Sequence, residues 1–443
     1  MRLESLRNRR VGILGYGREG RSALRVLNRF GPEIQPTVLV EDGPVPDDSA
    51  AIRAPFKEQL FEFDVLLRSP GIRVDHPALV RFRSQGGSVV NPGSIFFSER
   101  PDARVIGVTG SKGKSTTAAL LAHLLERSGQ TPILAGNIGV PLLDHIDSPQ
   151  SLVVAELSSY QLTDLEGRLS MGLMTRLFDE HLDWHGSREL YHASKLRMVD
   201  LLGGGPLLIN ATDPVLLEAT AGVPHRIECN RPPGLHRRKD GIWRGESRLL
   251  GERDLALIGR HNLDNAVLAM EAALRLDCTI ESIERALRSF EPLPHRLENL
   301  GTMADRLWIN DSIATSPHAT RAALDALQGG PLTLIAGGQP RPAAWQIVID
   351  ALLMRKLTGL VMLPDNGPVV AQKLLDARVI GLKQVRLVND MPAAVEAAME
   401  LSNPGETVVM SPGAPSFPIY RDFEDRGERF RSAVVGYRDR STA

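Results

Sequence analysis

The chain has 443 residues, 42% of them hydrophobic and 24% charged, with a formal net charge of -1. That balance is ordinary for a globular protein and excludes a long-range electrostatic pull toward nucleic acid or an anionic membrane, so any anionic ligand must be held by local groups. No run of 18 or more apolar residues is present, the opening Met1–Arg10 lacks the apolar stretch of a secretory signal, and two cysteines (Cys229 and Cys278) are too few for a disulfide framework, so a cytoplasmic location is expected.

The length corresponds to about three domains, and three times an apolar strand runs into a glycine turn and then a helix. The first is Val11–Gly20, which holds Gly15-Tyr-Gly-Arg-Glu-Gly20, with Asp42 after a second strand. Alone, this G-x-G-x-x-G element fits a diphosphate at a helix start with an acidic residue on a ribose, as in a nicotinamide site, and equally fits packing glycines without a ligand. A polar link at 98–102 leads to the second unit, Arg104–Ser115. There Gly107-Val-Thr-Gly-Ser-Lys-Gly-Lys-Ser115 follows a β-branched strand and opens an amphipathic helix. Glycines let the backbone wrap a phosphate chain, Lys114 reaches the terminal phosphates and the Ser115 hydroxyl suits Mg²⁺. Val108 stands where the general phosphate-loop pattern has its first glycine.

Between about residues 227 and 253 the sequence turns polar and rich in Gly, Pro and Arg, which predicts a hairpin excursion. Two prolines in Phe290–His295 break the next helical segment. The third strand–turn–helix unit is Leu332–Gly338, with a helix near 345–354. The pattern predicts an α/β protein of three domains in line: a Rossmann-like domain over 1–98, a central phosphate-loop domain over 99–293 and a Rossmann-like C-terminal domain over 294–443.

Several polar residues invite a chemical reading beside a plainer one. Glu156 is a metal ligand or a surface carboxylate at a strand end; His181 and His185 are metal ligands or a solvated loop pair. Asn262 and Asn265 lie three apart at a helix start, where their amides suit adenine edges or, for Asn262, an N-cap.

The form of the phosphate loop resembles that of the Mur ligases and their folylpolyglutamate synthetase relatives. The resemblance continues in order through Asn137-Ile-Gly-Val-Pro141, Glu156-Leu-Ser-Ser-Tyr-Gln161, Glu180-His-Leu-Asp-Trp-His185 with Lys195 in the following Y-x-x-x-K spacing, Gly259-Arg-His-Asn-Leu-Asp-Asn-Ala266, Leu293-Pro-His-Arg-Leu-Glu298 and Ile309-Asn-Asp-Ser312. Ser69-Pro-Gly-Ile72 and the tail 411–427 resemble the glutamate-adding members in particular.

That resemblance implies an ATP- and Mg²⁺-dependent ligase that activates the carboxylate of a UDP-linked muramoyl-alanine as an acyl phosphate and joins it to glutamate, building a cell-wall peptidoglycan precursor. It implies ATP contacts from Gly110, Ser111, Lys112, Gly113, Lys114, Ser115, Thr116, Asn262, Asn265, Arg296 and Asp311. It also implies UDP-substrate contacts from Gly15, Gly17, Asp42, Ser69, Pro70, Gly71, Asn137, Ser158 and His181. Lys114, Glu156, His181 and Lys195 are the expected catalytic set. Ser115, Glu156, His181 and a carbamylated Lys195 are the expected surroundings of the metal. A monomer that closes on ATP is expected.

The glutamate pocket departs from the pattern of the D-glutamate-adding members. Ile313 replaces a lysine, Arg341 replaces another, and the tail reads Ser411-Pro-Gly-Ala-Pro-Ser-Phe-Pro-Ile-Tyr420. Thr315, Arg341, Ser416, Phe417 and Phe423 are the expected glutamate contacts. A guanidinium fork holds a carboxylate differently from an ammonium, and the altered pocket beside an intact ATP site favours a variant that adds L-glutamate. A D-glutamate ligase with a drifted pocket, and at greater distance a folylpolyglutamate synthetase-like ligase, are the alternatives. The 1–98 domain speaks against the latter.

Overall fold

The computed structural model describes the chain except residues 42–50, 54–55, 57, 252–253, 256–258, 328–329, 341–344 and 443. Asp42 and Arg341, two of the expected ligand contacts, therefore lie outside the described residues.

The first sheet has five parallel strands, β1 (Val11–Leu14), β2 (Thr37–Val40), β3 (Ala51–Arg53), β4 (Val65–Arg68) and β5 (Ser88–Val90), in the order 3-2-1-4-5. The central strands β1, β2 and β4 are buried on both faces, which is why they read as apolar runs and not as alternating ones. Val11, Ile13, Val38, Val40, Val65 and Leu67 pack into one core, and Leu14, Leu39 and Leu66 into the core behind it. The chain leaves β1 toward β2 and returns to β4 on the other side. The C-terminal ends of β1 and β4, with their Gly15–Gly20 and Ser69–Ile72 turns, thus flank a topological switch point, where open α/β sheets bind ligands.

The second sheet repeats the logic with β6 (Arg104–Thr109), β7 (Ile133–Gly136), β8 (Leu152–Glu156), β9 (Met171–Met174), β10 (Leu207–Asn210) and β11 (Arg226–Cys229), all parallel, in the order 11-10-9-6-8-7. Here β6 stands at the switch point between β9 and β8, and the phosphate loop leaves from its C-terminal end. The expected excursion is a three-stranded antiparallel sheet, β12 (Leu235–Arg238), β13 (Gly241–Arg244) and β14 (Ser247–Gly251).

The third sheet contains β15 (Glu298–Met303), β16 (Arg306–Asn310), β17 (Leu332–Gly338), β18 (Leu357–Asp365), β19 (Val385–Leu387) and β20 (Thr407–Met410) in the order 15-16-20-17-18-19. Only β15 runs antiparallel. The helix of this unit expected near 345–354 spans Gln346–Leu353.

The chain forms two compact units: Met1–Leu255 with Asn262–Phe290, and Ala256–His261 with Glu291–Ala443. Within the first, the polar link at 98–102 does not separate two bodies. Arg68 at the end of β4 pairs with Asp164 at 2.5 Å, Gln161 donates to Glu19 at 2.7 Å, and Arg18 donates to the Asn137 carbonyl at 3.0 Å. Each bond joins the first sheet to the second. No helix among the described residues is long and apolar enough to cross a membrane.

Candidate nucleotide and carboxylate site

The phosphate loop is a turn that only glycine can close at two positions. Gly110 has φ +143°, and a Cβ there would sit 2.0 Å from Thr175 Oγ1; Gly113 has φ +92°, and a Cβ would meet Asn265 Oδ1 at 2.4 Å. Both values lie in the region L side chains avoid. Between them the loop is pinned from below. The Tyr191 hydroxyl donates to Ser111 Oγ at 2.9 Å, Ser111 Oγ donates to the Phe178 carbonyl at 2.7 Å, and Thr175 Oγ1 donates to the Lys112 carbonyl at 2.6 Å. The helix Lys114–Arg127 starts at this loop, so the amides of its first turn point toward the loop. Thr116 is buried in its first turn. Lys114 Nζ donates to the Ser111 carbonyl at 3.0 Å, folded back on its own loop.

Three strand ends meet here. Val108 of β6 pairs with Glu156 of β8, and Glu156 pairs with Gly136 of β7. Glu156 is 1% exposed. Its Oε1 accepts from Asn137 Nδ2 at 2.9 Å, and its Oε2 is buried with no hydrogen-bond partner. A buried carboxylate oxygen left without a donor is costly and calls for a cation. Lys195 is the other buried charge: it is 2% exposed, donates to the Gly110 carbonyl at 2.7 Å and lies 4.9 Å from the centre of the Tyr191 ring. Burial, reinforced by the nearby Lys114, holds its ammonium well below the usual lysine range.

Glu180 and Lys112 pair at 2.7 Å. Burial raises the Glu180 carboxyl, and the Lys112 ammonium outweighs it, so the net shift is downward. His181 is exposed and takes a left-handed backbone, φ 55°, at the start of the short helix Leu182–His185. Its ring centre lies 5.2 Å from that of Tyr160. His185 does not join it as a second ligand candidate. It is 5% exposed, stacks on Tyr160 at 5.6 Å and bonds Ser159 Oγ at 3.0 Å, and burial lowers its pKa to about 4. Among the described residues no group of three or more His, Cys, Asp or Glu side chains is arranged to hold a metal. A hard cation here would take its remaining ligands from hydroxyls, phosphate oxygens and water.

Ser158 serves as helix cap. Its Oγ accepts from the Gln161 amide at 3.2 Å and Gln161 Oε1 accepts from the Ser158 amide at 2.9 Å, a reciprocal capping box. Asn262 is not an N-cap, because its helix begins two residues earlier at Arg260. Its Oδ1 instead accepts from Asn265 Nδ2 at 3.1 Å, and Asn265 lies against Gly113.

At the first switch point Ser69 Oγ donates to the Gly15 carbonyl at 3.0 Å, and a Cβ on Gly20 would sit 2.0 Å from that same carbonyl oxygen. The first turn of the helix Arg18–Phe30 is thereby pressed against Gly15, and Gly17 is its N-cap. Burial pushes the Glu19 carboxyl upward.

In the second unit the loops after β16, β17 and β20 converge. Asp311 is 5% exposed and accepts from the Leu297 amide at 3.2 Å and from Ser411 Oγ at 2.8 Å. Arg296 stands one residue before Leu297, on the same strand approach. Ser312 Oγ donates to the Phe423 carbonyl at 2.7 Å, and the Ser416 carbonyl accepts from the Tyr420 amide at 3.1 Å. Thr315 and Phe417 are exposed, whereas Ser416 is buried. Asp311, Ser312 and Ser411 lie at the C-terminal ends of β16 and β20, where ligands bind in this fold class.

Three residues escaped the sequence reading. Tyr191 fixes Ser111 and lines Lys195. Arg426 is fully buried and donates to Ser312 O at 2.8 Å, Ser312 Oγ at 3.1 Å and Ala414 O at 3.0 Å. Arg68 is buried beneath the Ser69–Ile72 turn. The Y-x-x-x-K spacing could have flagged Tyr191. An arginine in an amphipathic helix or at a strand end carries no signal of burial.

Comparison with known proteins bears on the same segments. The Mur ligase middle domain matches residues 108–273, and the Mur ligase, glutamate ligase domain matches residues 295–413. A UDP-N-acetylmuramoyl-L-alanine--L-glutamate ligase of a Micromonospora species is 37% identical, covering 98% of this chain and 98% of that protein. One of the same name from Xylella fastidiosa is 36% identical over 97% of this chain and 96% of its own length. Among solved structures, the UDP-N-acetylmuramate-alanine ligase of Thermotoga maritima superposes with a TM-score of 0.62 at 18% identity, covering 98% of this chain and 100% of that one. A MurF structure from Acinetobacter baumannii gives 0.61 at 17% identity, covering 92% and 88%. These structures share the fold, and the two domain matches with the near full-length relatives settle the family: the chain belongs to the Mur ligases.

Proposed function

We propose that this enzyme is the ATP-dependent ligase that joins L-glutamate to UDP-N-acetylmuramoyl-L-alanine in peptidoglycan precursor synthesis. The observation that carries the chemistry is Glu156. It is a buried carboxylate with one oxygen held by Asn137 and the other without a partner, at the mouth of a loop built to wrap phosphate. The choice of L-glutamate follows the names of relatives aligned over nearly the whole chain, and agrees with a sequence that has Ile313 and Arg341 at positions where the resemblance to D-glutamate-adding members implies lysine.

An amide cannot form from a free carboxylate and an amine without activation. In this reading a carboxylate oxygen of the muramoyl-alanine attacks the γ-phosphorus, the bond to ADP breaks, and the amine of glutamate then displaces phosphate from the acyl phosphate. The backbone amides of Gly110–Thr116 and the Lys114 ammonium hold the phosphates and oppose the charge that builds on them. Asn262 and Asn265 take the adenine, and Arg296 and Asp311 are further ATP contacts in this reading. Gly15, Gly17, Ser69, Pro70, Gly71, Asn137, Ser158 and His181 take the UDP-linked substrate. Thr315, Ser416, Phe417 and Phe423 surround the glutamate.

The residues present fit a Mg²⁺ ion. Ser115 and Glu156 would hold it, with His181 toward the carboxylate, and when bound it supplies charge neutralisation. Lys195 is buried where an ammonium is poorly solvated. Its carbamylation would turn a disfavoured cation into an anion beside that metal. Domain limits of 1–98, 99–293 and 294–443 and a monomeric state belong to this same reading.

The test is phosphate release by purified enzyme with ATP, Mg²⁺ and UDP-N-acetylmuramoyl-L-alanine, offering each glutamate enantiomer in turn. Release with L-glutamate in clear excess over D-glutamate supports the reading. Preference for D-glutamate removes the assignment of the enantiomer, and no glutamate dependence removes the ligase.

A further inference from the structure

The turn Ser69-Pro-Gly-Ile72 presents four backbone carbonyls, which would repel a diphosphate if they faced it. Every one of them is engaged from within the protein. Arg68 Nη1 donates to Ser69 O at 3.2 Å, to Pro70 O at 3.1 Å and to Ile72 O, while Trp184 Nε1 donates to Gly71 O at 2.8 Å. The Arg68 side chain is completely buried. Its far edge is held by Asp164, with Nε to Oδ2 at 2.7 Å and Nη2 to Oδ1 at 2.5 Å, and Nη2 also donates to the Tyr160 carbonyl at 3.3 Å. Asn91 Nδ2 donates to Asp164 Oδ1 at 2.8 Å and to the Gln161 carbonyl at 2.9 Å, closing the network. Tyr160, Gln161 and Asp164 belong to the segment that begins at Glu156.

Two physical consequences follow. First, the buried guanidinium, its charge balanced by Asp164, draws the carbonyl oxygens of the turn inward, so that they are not left to repel an anion at the outer face. Second, a rigid planar fork shared between two sheets fixes the distance from the turn to Glu156, which a flexible ammonium with a single donor head cannot do.

We propose that Arg68 is a positioning residue of this ligase: with Asp164 and Trp184 it shapes the Ser69–Ile72 turn into an anion receptor and locks it in register with the strand end that carries Glu156. The inference rests on the reading above that this turn receives the diphosphate of the substrate.

The experiment compares full-length wild type with Arg68→Lys, Asp164→Asn and the double variant. It measures calorimetric binding of UDP-N-acetylmuramoyl-L-alanine, KM for that substrate, KM for ATP, and thermal midpoint. Both single variants are expected to weaken binding of the UDP-linked substrate by roughly ten- to a hundredfold while KM for ATP stays within about twofold. The double variant is expected to be no worse than Arg68→Lys alone, because the two side chains act as one unit. Unchanged substrate affinity in a folded Arg68→Lys protein overturns the inference. So does a loss shared equally by ATP and the UDP-linked substrate with a lowered thermal midpoint, which is what a merely structural role produces. A wild type that neither binds nor consumes the UDP-linked substrate overturns the functional reading and this inference with it, whereas an active wild type with an unaffected Arg68→Lys overturns this inference alone.

Discussion

His185 illustrates how one side chain carries both a structural and a chemical consequence. Burial against Tyr160, Trp184 and Tyr191, with the nearby Arg73 acting in the same direction, keeps its imidazole neutral and lowers its pKa to about 4. The folded state thus binds this proton less readily than the unfolded chain, whose histidine titrates near 6.5. Stability from this residue is fully present above pH 6.5 and is lost as the pH falls from there toward 4, by roughly 2–3 kcal/mol. Urea unfolding of wild type and His185→Phe at several pH values isolates that share: the stability difference between the two should change across this window and stay flat from pH 7 to 8. A difference independent of pH from 7 to 4 would show that His185 is solvated. Burial of this kind was not legible beforehand. His181 and His185 have the same local sequence context, and only the packing of Tyr160 and Tyr191 distinguishes the exposed ring from the enclosed one. Arg68 and Arg426 escaped for the same reason, since Asp164, which pairs with the first, and Ser312, which accepts from the second, lie 96 and 114 positions away in the chain.

At the level of elements, the phosphate loop was the most legible feature because its determinants are local. A β-branched strand, glycines at fixed offsets and an amphipathic helix each declare themselves within a few residues, and Gly110 and Gly113 take the positive φ values that such a turn requires. Gly113→Ala sets a Cβ against Asn265 Oδ1 and forces a left-handed backbone on an alanine, which alone costs about 1–2 kcal/mol. KM for ATP should therefore rise roughly tenfold or more, with affinity for the UDP-linked substrate little changed. An unaltered KM for ATP would mean that this turn does not touch the nucleotide. The Glu156–Gln161 motif was legible in its identity and not in its full purpose: Ser158 and Gln161 also cap a helix, and the Gln161 amide reaches across to Glu19. The antiparallel excursion at β12–β14 was readable from its turn composition, whereas its anchoring was not. Arg237 of β12 and Arg176 after β9 both grip the buried Asp264, at 2.6 and 2.8 Å.

On the scale of the whole molecule, three sheets built mainly of parallel strands could be counted from three strand–turn–helix units. The compact bodies are nonetheless two, because long-range bonds such as Arg68–Asp164 and Gln161–Glu19 tie the first sheet to the second and leave no trace in composition or periodicity. The glutamate end was the least legible. The contacts proposed for it come from segments far apart in sequence, and Arg341 lies outside the described residues. What the account asserts of the molecule as a whole is that ATP held at one strand end activates a carboxylate on a second substrate. Prepare UDP-N-acetylmuramoyl-L-alanine with ¹⁸O in the alanine carboxylate, let the enzyme turn over with ATP and L-glutamate, and weigh the inorganic phosphate by mass spectrometry. The account predicts one ¹⁸O atom in each phosphate released, carried there when the C–O bond of the acyl phosphate breaks; phosphate free of label, with amide product formed, would contradict it.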